Sequence, residues 1–125
     1  MKLTKFLVAT CALCVLLCAQ TGLAADKKLL LVNLTSYTTE ESRKAVDYAK
    51  EELEQGRPVV IFLNERGVLA AALTHAQMYK EQQQHLTELM KRGATVLVCP
   101  DCLKQYGVDP KNLLAGVKIS ERHHS

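Results

Sequence analysis

The sequence predicts an α/β domain built on a mostly parallel sheet of about four to five strands, with helices on both faces. Short, nearly continuous apolar runs recur along the chain, and such runs are typical of strands buried on both faces of a parallel sheet. Segments with helical periodicity separate these runs, as crossovers between parallel strands require. Glycine and proline stand at the boundaries between segments, where they end or begin an element.

The first half of the domain contains two predicted strands and one predicted helix. Lys28–Leu34 (KLLLVNL) is the first apolar run, and Pro58–Leu63 (PVVIFL) is the second. Between them, Thr38 and Glu41 have the spacing of a capping box, so we expect a helix that reaches about Gln55. The residues expected to face inward from this helix are Ala45, Val46, Ala49 and Leu53.

The second half continues the alternation. Val68–Tyr79 is expected to form a short helix or an ordered loop, and Glu81–Arg92 has a clearer helical pattern. Ala94–Cys99 (ATVLVC) predicts the third strand, and Pro100 suits the first position of a helix that ends near Gly107. The last predicted elements are one helical turn at Asn112–Ala115 and a fourth strand at Gly116–Ser120.

Residues 1–25 have the pattern of a secretory signal peptide: a basic start, a short apolar stretch and a polar end with small residues. The apolar stretch is shorter than the roughly 20 residues that a membrane span needs. Cleavage is expected after Ala24 or Ala25, which leaves residues 26–125 as a periplasmic or secreted domain without membrane attachment. The alternatives are an uncleaved anchor and a lipoprotein modified at Cys18.

Charge and composition exclude several classes of function. The chain has 16 basic and 13 acidic residues, and the leader removes Lys2 and Lys5, so the net charge of the domain falls from +3 to +1. This balance and the absence of tryptophan give no basis for binding nucleic acid. No glycine-rich phosphate loop and no G-x-S-x-G elbow occurs, so no cofactor is expected.

The carboxyl ends of the predicted strands mark the expected site, because ligands of parallel α/β sheets bind at that edge. The residues expected there are Asn33, Thr35 and Ser36 after the first strand, Asn64 and Glu65 after the second, and Cys99 after the third. Strand-end geometry therefore predicts a substrate pocket lined by Asn33, Thr35, Ser36 and Asn64, beside a cysteine pair.

That pair is the motif Cys99-Pro100-Asp101-Cys102, placed where a strand passes into a helix. Unpaired N–H groups at a helix start favour a thiolate, whereas the Asp101 carboxylate disfavours a second negative charge. The motif fits a thiol that carries sulfur or attacks a disulfide, but also a structural disulfide, half of a metal site or inert thiols. His75 and His85 are expected to be solvated, and the adjacent His123 and His124 point apart, so no metal site is predicted.

Four stretches of the chain resemble the DsrE/DsrF-like family of sulfur-relay proteins, in its exported single-domain form. They are LLLVNLTS (29–36), VVIFLNERGV (59–68), ATVLVCPDCLKQYGV (94–108) and NLLAGVKIS (112–120). The resemblance implies a DsrE-like, three-layer α/β domain of the Rossmann or flavodoxin type that assembles into trimers or hexamers. Relative to that family, the domain is expected to be short at its C-terminus.

The resemblance also implies roles for the cysteines. Cys99 corresponds by position to the cysteine that carries a persulfide in the family, and Cys102 to a second cysteine that resolves it. Relay members often have an arginine just before the following glycine, where this chain has Tyr106.

The sequence thus predicts a periplasmic, sulfurtransferase-like or thiol–disulfide exchange protein with a sulfur donor or acceptor protein as partner. The alternative is a non-enzymatic oligomeric binding or assembly module with a structural disulfide.

Overall fold

The structure is a computed structural model that describes residues 27–121, and it contains a four-stranded parallel sheet. The strands lie across the sheet in their sequence order, so each crossover joins neighbouring strands. The predicted α/β class and parallel sheet are confirmed. The strands are β1 (Leu30–Leu34), β2 (Val59–Leu63), β3 (Thr95–Val98) and β4 (Lys118–Ile119).

The helices of residues 27–121 are α1 (Glu40–Glu54), α2 (Lys80–Lys91) and α3 (Pro100–Gln105). After β2, where the sequence left a helix and a loop open, the chain forms two 3-10 segments, Glu65–Ala71 and Leu73–His75. The helical turn expected at Asn112–Ala115 is wrong, since a 3-10 turn lies earlier, at Pro110–Asn112. Proline fixes the first φ of this turn and the Asp109 carboxylate caps it, which places the turn before the expected segment.

The start of α1 also differs from the prediction. Thr39 is the N-cap, and its Oγ1 accepts a hydrogen bond from the Ser42 N–H at 3.1 Å. The Ser42 hydroxyl accepts the reciprocal bond from the Thr39 N–H at 3.2 Å. The capping box is therefore Thr39 with Ser42 rather than Thr38 with Glu41. The backbone of Thr39 is still extended, so the helix begins one residue later than the sequence suggested.

Burial alternates along the strands and distinguishes the two faces of the sheet. On one face the side chains are buried and form a single cluster with the apolar stripes of α1 and α2. Val46 and Ala49 of α1, two of the four residues predicted to face inward, are buried there, and so are Leu86 and Leu89 of α2. The strand residues of this core are Val32, Leu34, Val59, Ile61, Leu63, Val96 and Val98.

The opposite face is apolar at its centre but is not buried to the same extent. Leu31 is 61% exposed, and Val60, Phe62 and Leu97 are half-buried. In the register of the sheet, Leu31 lies beside Val60, and Phe62 lies beside Leu97. The expectation of strands buried on both faces is therefore met on one face only within residues 27–121.

Candidate functional site

The end of β3 places the two cysteines of the C-x-x-C motif. The N–H of Cys99 donates to the Leu63 carbonyl at 3.1 Å, which continues the β2–β3 ladder by one residue. Cys99 is the N-cap of α3, with an extended backbone, and Pro100 occupies the first helical turn as the sequence predicts. Cys102 lies in the same turn, so the strand-to-helix junction brings both sulfurs together at the carboxyl edge of the sheet.

Cys99 is the more accessible of the two thiols. Its side chain is half-buried, whereas Cys102 is only 7% exposed. The Cys99 sulfur accepts a hydrogen bond from the N–H of Cys102 at 3.3 Å. Both cysteines are free thiols in this structure. A reagent approaching from solvent therefore reaches Cys99 first, with Cys102 behind it.

Cys102 is held by the segment that follows β2. Its thiol donates to the Asn64 side-chain oxygen, Oδ1, with 3.2 Å between sulfur and oxygen. The N–H of Glu65 points to the same sulfur at 3.2 Å and also donates to Asn64 Oδ1 at 2.8 Å. These contacts join residues that are 37 and 38 positions apart, and they connect the ends of β2 and β3.

Glu65 reaches this position through an unusual backbone conformation. It has a φ of 49°, the positive-φ conformation found at no other non-glycine residue among residues 27–121. A non-glycine residue in the left-handed region costs about 1–2 kcal/mol. The surrounding structure must hold this strain, and it does so where the Glu65 N–H meets the Cys102 sulfur.

The surroundings of Cys102 favour its protonated form. Burial raises the pKa of the Cys102 thiol, and its interaction with the neighbouring Cys99 sulfur raises it further. The N–H of Glu65 opposes this by stabilising the thiolate, while the negative charges of Cys99 and Glu65 raise the pKa again. The pair is therefore asymmetric, with a buried thiol behind an accessible one.

The structure divides the predicted pocket residues into two groups. Asn64 contacts the cysteine pair, as described above. Asn33, Thr35 and Ser36 line a separate, open cavity of about 280 Å³ beside the first turns of α1. Gly67, in the segment after β2, donates to the Thr35 carbonyl at 3.0 Å, so this segment lies against the end of β1. The end of β2 therefore lies between these three residues, at the end of β1, and the thiols, at the end of β3.

The other candidate residues do not join the site. His75 accepts or donates a bond with Thr74 at 3.1 Å and is half-buried, as is His85 on α2. Within the described range, no three histidine, cysteine or acidic side chains are grouped so that they could hold a metal ion. No helix in that range has the length and hydrophobicity to cross a membrane. The leader, Cys18, and both C-terminal histidines lie outside the described residues.

A buried tyrosine between α1 and α2 is a second polar feature, and the sequence does not predict it. Tyr37 lines a cavity of about 190 Å³ between α1 and α2, together with Asp47 and His85. Its hydroxyl is buried and has no hydrogen-bond partner among residues 27–121. Burial raises the pKa of Tyr37, and the nearby Asp47 carboxylate adds to the effect. No sequence pattern marks this tyrosine, because its burial depends on how two helices pack.

The backbone role of Glu65 is likewise invisible in the sequence. An Asn-Glu pair after a buried strand is compatible with an N-cap, and Asn64 does cap the 3-10 segment through the Glu65 N–H. Nothing in the pair indicates a positive φ at a glutamate. The positive φ of Glu65 is associated with the packing of α3 against this segment, where the Glu65 N–H meets the Cys102 sulfur.

Comparisons with known proteins agree with the fold and extend through the site. A model of the DsrE/DsrF-like family matches residues 26–124. The chain is 30% identical over 101 residues to the uncharacterized protein MJ0989 of Methanocaldococcus jannaschii, covering 78% of this chain and 86% of that protein.

Two solved structures resemble the fold. The ychN protein from E. coli superposes with a TM-score of 0.61 at 24% identity, covering 75% of this chain and 83% of that chain. The protein of unknown function MTH1491 from Methanobacterium thermoautotrophicum superposes with a TM-score of 0.62 at 16% identity, covering 77% and 83%. At these identities the likeness concerns the fold.

Proposed function

Because the chain belongs to the DsrE/DsrF-like family, we propose that it is a sulfur-relay type protein that works through Cys99 and Cys102. Cys99 carries a persulfide or enters a mixed disulfide, and Cys102 resolves it. The observation that supports this most directly is the asymmetry of the pair: an accessible Cys99 sulfur receives the Cys102 N–H, and a buried Cys102 thiol lies behind it.

The loading step needs the thiolate of Cys99. Its sulfur attacks the outer sulfur of a donor persulfide, R–S–SH. The new S–S bond forms on Cys99, the S–S bond of the donor breaks, and R–S⁻ leaves and takes up a proton. Cys99 then holds the sulfur that a partner protein receives.

The resolving step uses the second thiol. The Cys102 thiolate attacks the Cys99 sulfur of the persulfide, the Cys99–Cys102 disulfide forms, and HS⁻ leaves. A mixed disulfide is resolved in the same way, with R–S⁻ as the leaving group. The proton of Cys102 goes to water in both cases. The two routes share residues and differ only in what Cys99 carries.

Intact-mass measurement after treatment with glutathione persulfide tests the assignment. Wild type should gain one sulfur atom and then convert to the internal disulfide. Cys102→Ser should keep the added sulfur longer, because no second thiol removes it, and Cys99→Ser should gain none. An equal adduct on Cys99→Ser, or no adduct on wild type, contradicts the proposal.

The competing assignment is a binding or assembly module whose two cysteines form a structural disulfide. The reduction potential of the pair distinguishes the two. Structural disulfides lie below about −300 mV, whereas exchange-active pairs lie above this value. We expect a value above it, because the Glu65 N–H and the Asn64 oxygen contact Cys102 in its reduced form.

We also propose that the domain is exported and forms a homo-oligomer that meets a sulfur donor or acceptor protein. The leader pattern supports export, and the family resemblance supports a trimer or hexamer. The apolar sheet face with Leu31, Phe62 and Leu97 gives a second copy a surface to cover. N-terminal sequencing of the exported protein and analytical ultracentrifugation test these points, and an uncleaved leader or a monomer contradicts them.

A further inference from the structure

We propose that Asn64 is a positioning residue that favours the protonated form of the Cys102 thiol, and so sets how long Cys99 holds the sulfur or thiol group bound to it. The inference rests on the proposed thiol function and adds a regulatory element to it. It is drawn from one arrangement: the Asn64 oxygen receives both the Glu65 N–H and the Cys102 thiol.

The Glu65 N–H determines which atom of the Asn64 amide faces the sulfur. A backbone N–H needs an acceptor, and the amide nitrogen of asparagine cannot accept, so the atom at 2.8 Å from the Glu65 nitrogen must be Oδ1. The same oxygen lies 3.2 Å from the Cys102 sulfur. Since this oxygen has no hydrogen to give, the sulfur must supply one. The arrangement therefore requires a protonated Cys102.

A thiolate at this position would meet the lone pairs of Oδ1 at close range. A hydrogen bond that exists only in the neutral form of a group disfavours its ionised form. Burial of Cys102 acts in the same direction. Asn64 therefore opposes the ionisation that the resolving step needs, although it does not exchange a proton itself.

Asn64 also competes with Cys102 for the donor that would stabilise a thiolate. The Glu65 N–H is shared between two acceptors and lies closer to Oδ1, at 2.8 Å, than to the sulfur, at 3.2 Å. Removing Oδ1 leaves the sulfur as the acceptor of this N–H. Both effects of Asn64 therefore disfavour the thiolate form of Cys102.

Among residues 27–121, the charges of two ionisable groups, Cys99 and Glu65, raise the pKa of Cys102. Cys99 is the N-cap of the helix that contains Cys102, and Glu65 lies on the segment packed against that helix. Both disfavour the Cys102 thiolate by their negative charge when ionised. A mixed disulfide at Cys99 carries no thiolate, so it no longer raises the pKa of Cys102 by its charge, whereas a Cys99 persulfide keeps a negative charge on its outer sulfur when ionised. Asn64 retards resolution in both cases.

Two substitutions at this position separate a positioning role from a capping role. Serine and aspartate are both favoured at N-cap positions, so neither N64S nor N64D should prevent the 3-10 segment from forming. Serine is too short to place its oxygen where Oδ1 meets the sulfur. Aspartate keeps the acceptor and adds a negative charge, which disfavours a second one. The two variants should therefore change the reactivity of Cys102 in opposite directions.

The first measurement follows the mixed disulfide formed with glutathione disulfide, by acid quenching and intact mass, across a range of pH. In this reaction the protein dithiol loses two electrons and two protons, and one glutathione disulfide becomes two glutathione thiols. N64S should resolve the Cys99 adduct faster at neutral pH, with its half-maximal rate at lower pH than wild type. N64D should resolve it more slowly, with the half-maximal rate at higher pH.

The size of the effect follows from thiol reactivity. A tenfold change in the thiolate population changes the rate about threefold, because nucleophilicity falls as basicity falls. We therefore expect a several-fold difference in adduct lifetime between N64S and N64D. Their urea midpoints, measured in parallel, should lie close together.

A second measurement does not depend on sulfur transfer. The pH dependence of Cys102 alkylation in the Cys99→Ser background should move to lower pH with N64S and to higher pH with N64D. Equal or same-direction shifts in both variants would overturn the role of Asn64. Absence of any Cys99 adduct with wild type would instead contradict the proposed function, and the alkylation profiles would still decide this inference.

Discussion

Replacing Gly67 by alanine should destabilise the fold and disturb the thiol site together. Gly67 is buried in the 3-10 segment between Asn64 and the end of β1. A Cβ at this position would lie 2.2 Å from the carbonyl oxygen of Leu34 and 3.1 Å from its carbonyl carbon. That oxygen already accepts the N–H of Asn64 at 2.9 Å. The clash is with backbone, so no side-chain rotation relieves it.

Three effects contribute to the expected loss in the free energy of unfolding of Gly67→Ala. Overpacking a fitted interior costs about 1–3 kcal/mol. Displacing the Leu34 carbonyl weakens a hydrogen bond with a net contribution of about 0.5–1.5 kcal/mol. Alanine returns about 0.4–1 kcal/mol by restricting the unfolded chain. Gly67→Ala should therefore lower the free energy of unfolding by roughly 2–3 kcal/mol, a large part of the roughly 5–15 kcal/mol typical of a domain.

Urea denaturation followed by circular dichroism, at fixed protein concentration, measures this difference. With a slope of about 1 kcal/mol per molar urea, the midpoint should fall by roughly 2–3 M. Gly56→Ala is the matched control, because Gly56 has a φ of 86° and an added Cβ there would meet no atom within 4 Å. Its cost is the left-handed backbone alone, about 1 kcal/mol after the same unfolded-state gain. Equal midpoints for the two variants would refute the argument from the Leu34 carbonyl.

Two further predictions concern the core and the buried tyrosine. Leu34→Ala should lower the free energy of unfolding by about 2–4 kcal/mol, since this side chain is 3% exposed. Leu31 lies on the other face of the same strand and is 61% exposed, so Leu31→Ala should lower the free energy of unfolding of the monomer by less than about 1 kcal/mol. Similar urea midpoints for the two variants would contradict a core on one face of the sheet. Tyr37→Phe should raise stability by about 0.5–1 kcal/mol at neutral pH, because its buried hydroxyl has no partner among residues 27–121. The folded-state pKa of Tyr37 lies above the unfolded value of about 10, so wild type should lose stability as pH rises above about 10 and the phenylalanine variant should lose less. An unchanged alkaline profile would contradict the burial of this hydroxyl.

Most of the secondary structure was predictable because its determinants are local. The three long apolar runs became β1, β2 and β3, and Pro100 became the start of α3. The start of α1 was displaced by one residue, because Thr38 and Thr39 both precede acidic residues and only the backbone conformation chooses between them. The segment after β2 stayed ambiguous, since its alanine-rich pattern suits several short conformations.

The candidate site was predictable only in part. Strand-end geometry brought Cys99 and Asn64 to one edge, and the structure joins Asn64 to Cys102 there. Strand-end geometry did not show that Thr35 and Ser36 line a separate cavity beside α1, without the thiols. The direction of a side chain after a strand ends depends on the next turn, which is not periodic. The sequence pattern therefore predicted the carboxyl edge of the sheet as the site, but not that this edge holds two separate groups of residues.

The sequence by itself determined the α/β class, the parallel strands and the position of the C-x-x-C motif at a strand-to-helix junction, because each follows from residues close together in the chain. Only the tertiary structure decided that Cys102 is the buried thiol, that its hydrogen goes to Asn64, and that Glu65 takes a left-handed backbone to meet the same sulfur. Those contacts join residues 37 and 38 positions apart. They exist because the ends of β2 and β3 are adjacent in the sheet, and the reactivity of a thiol depends on the atoms that surround it.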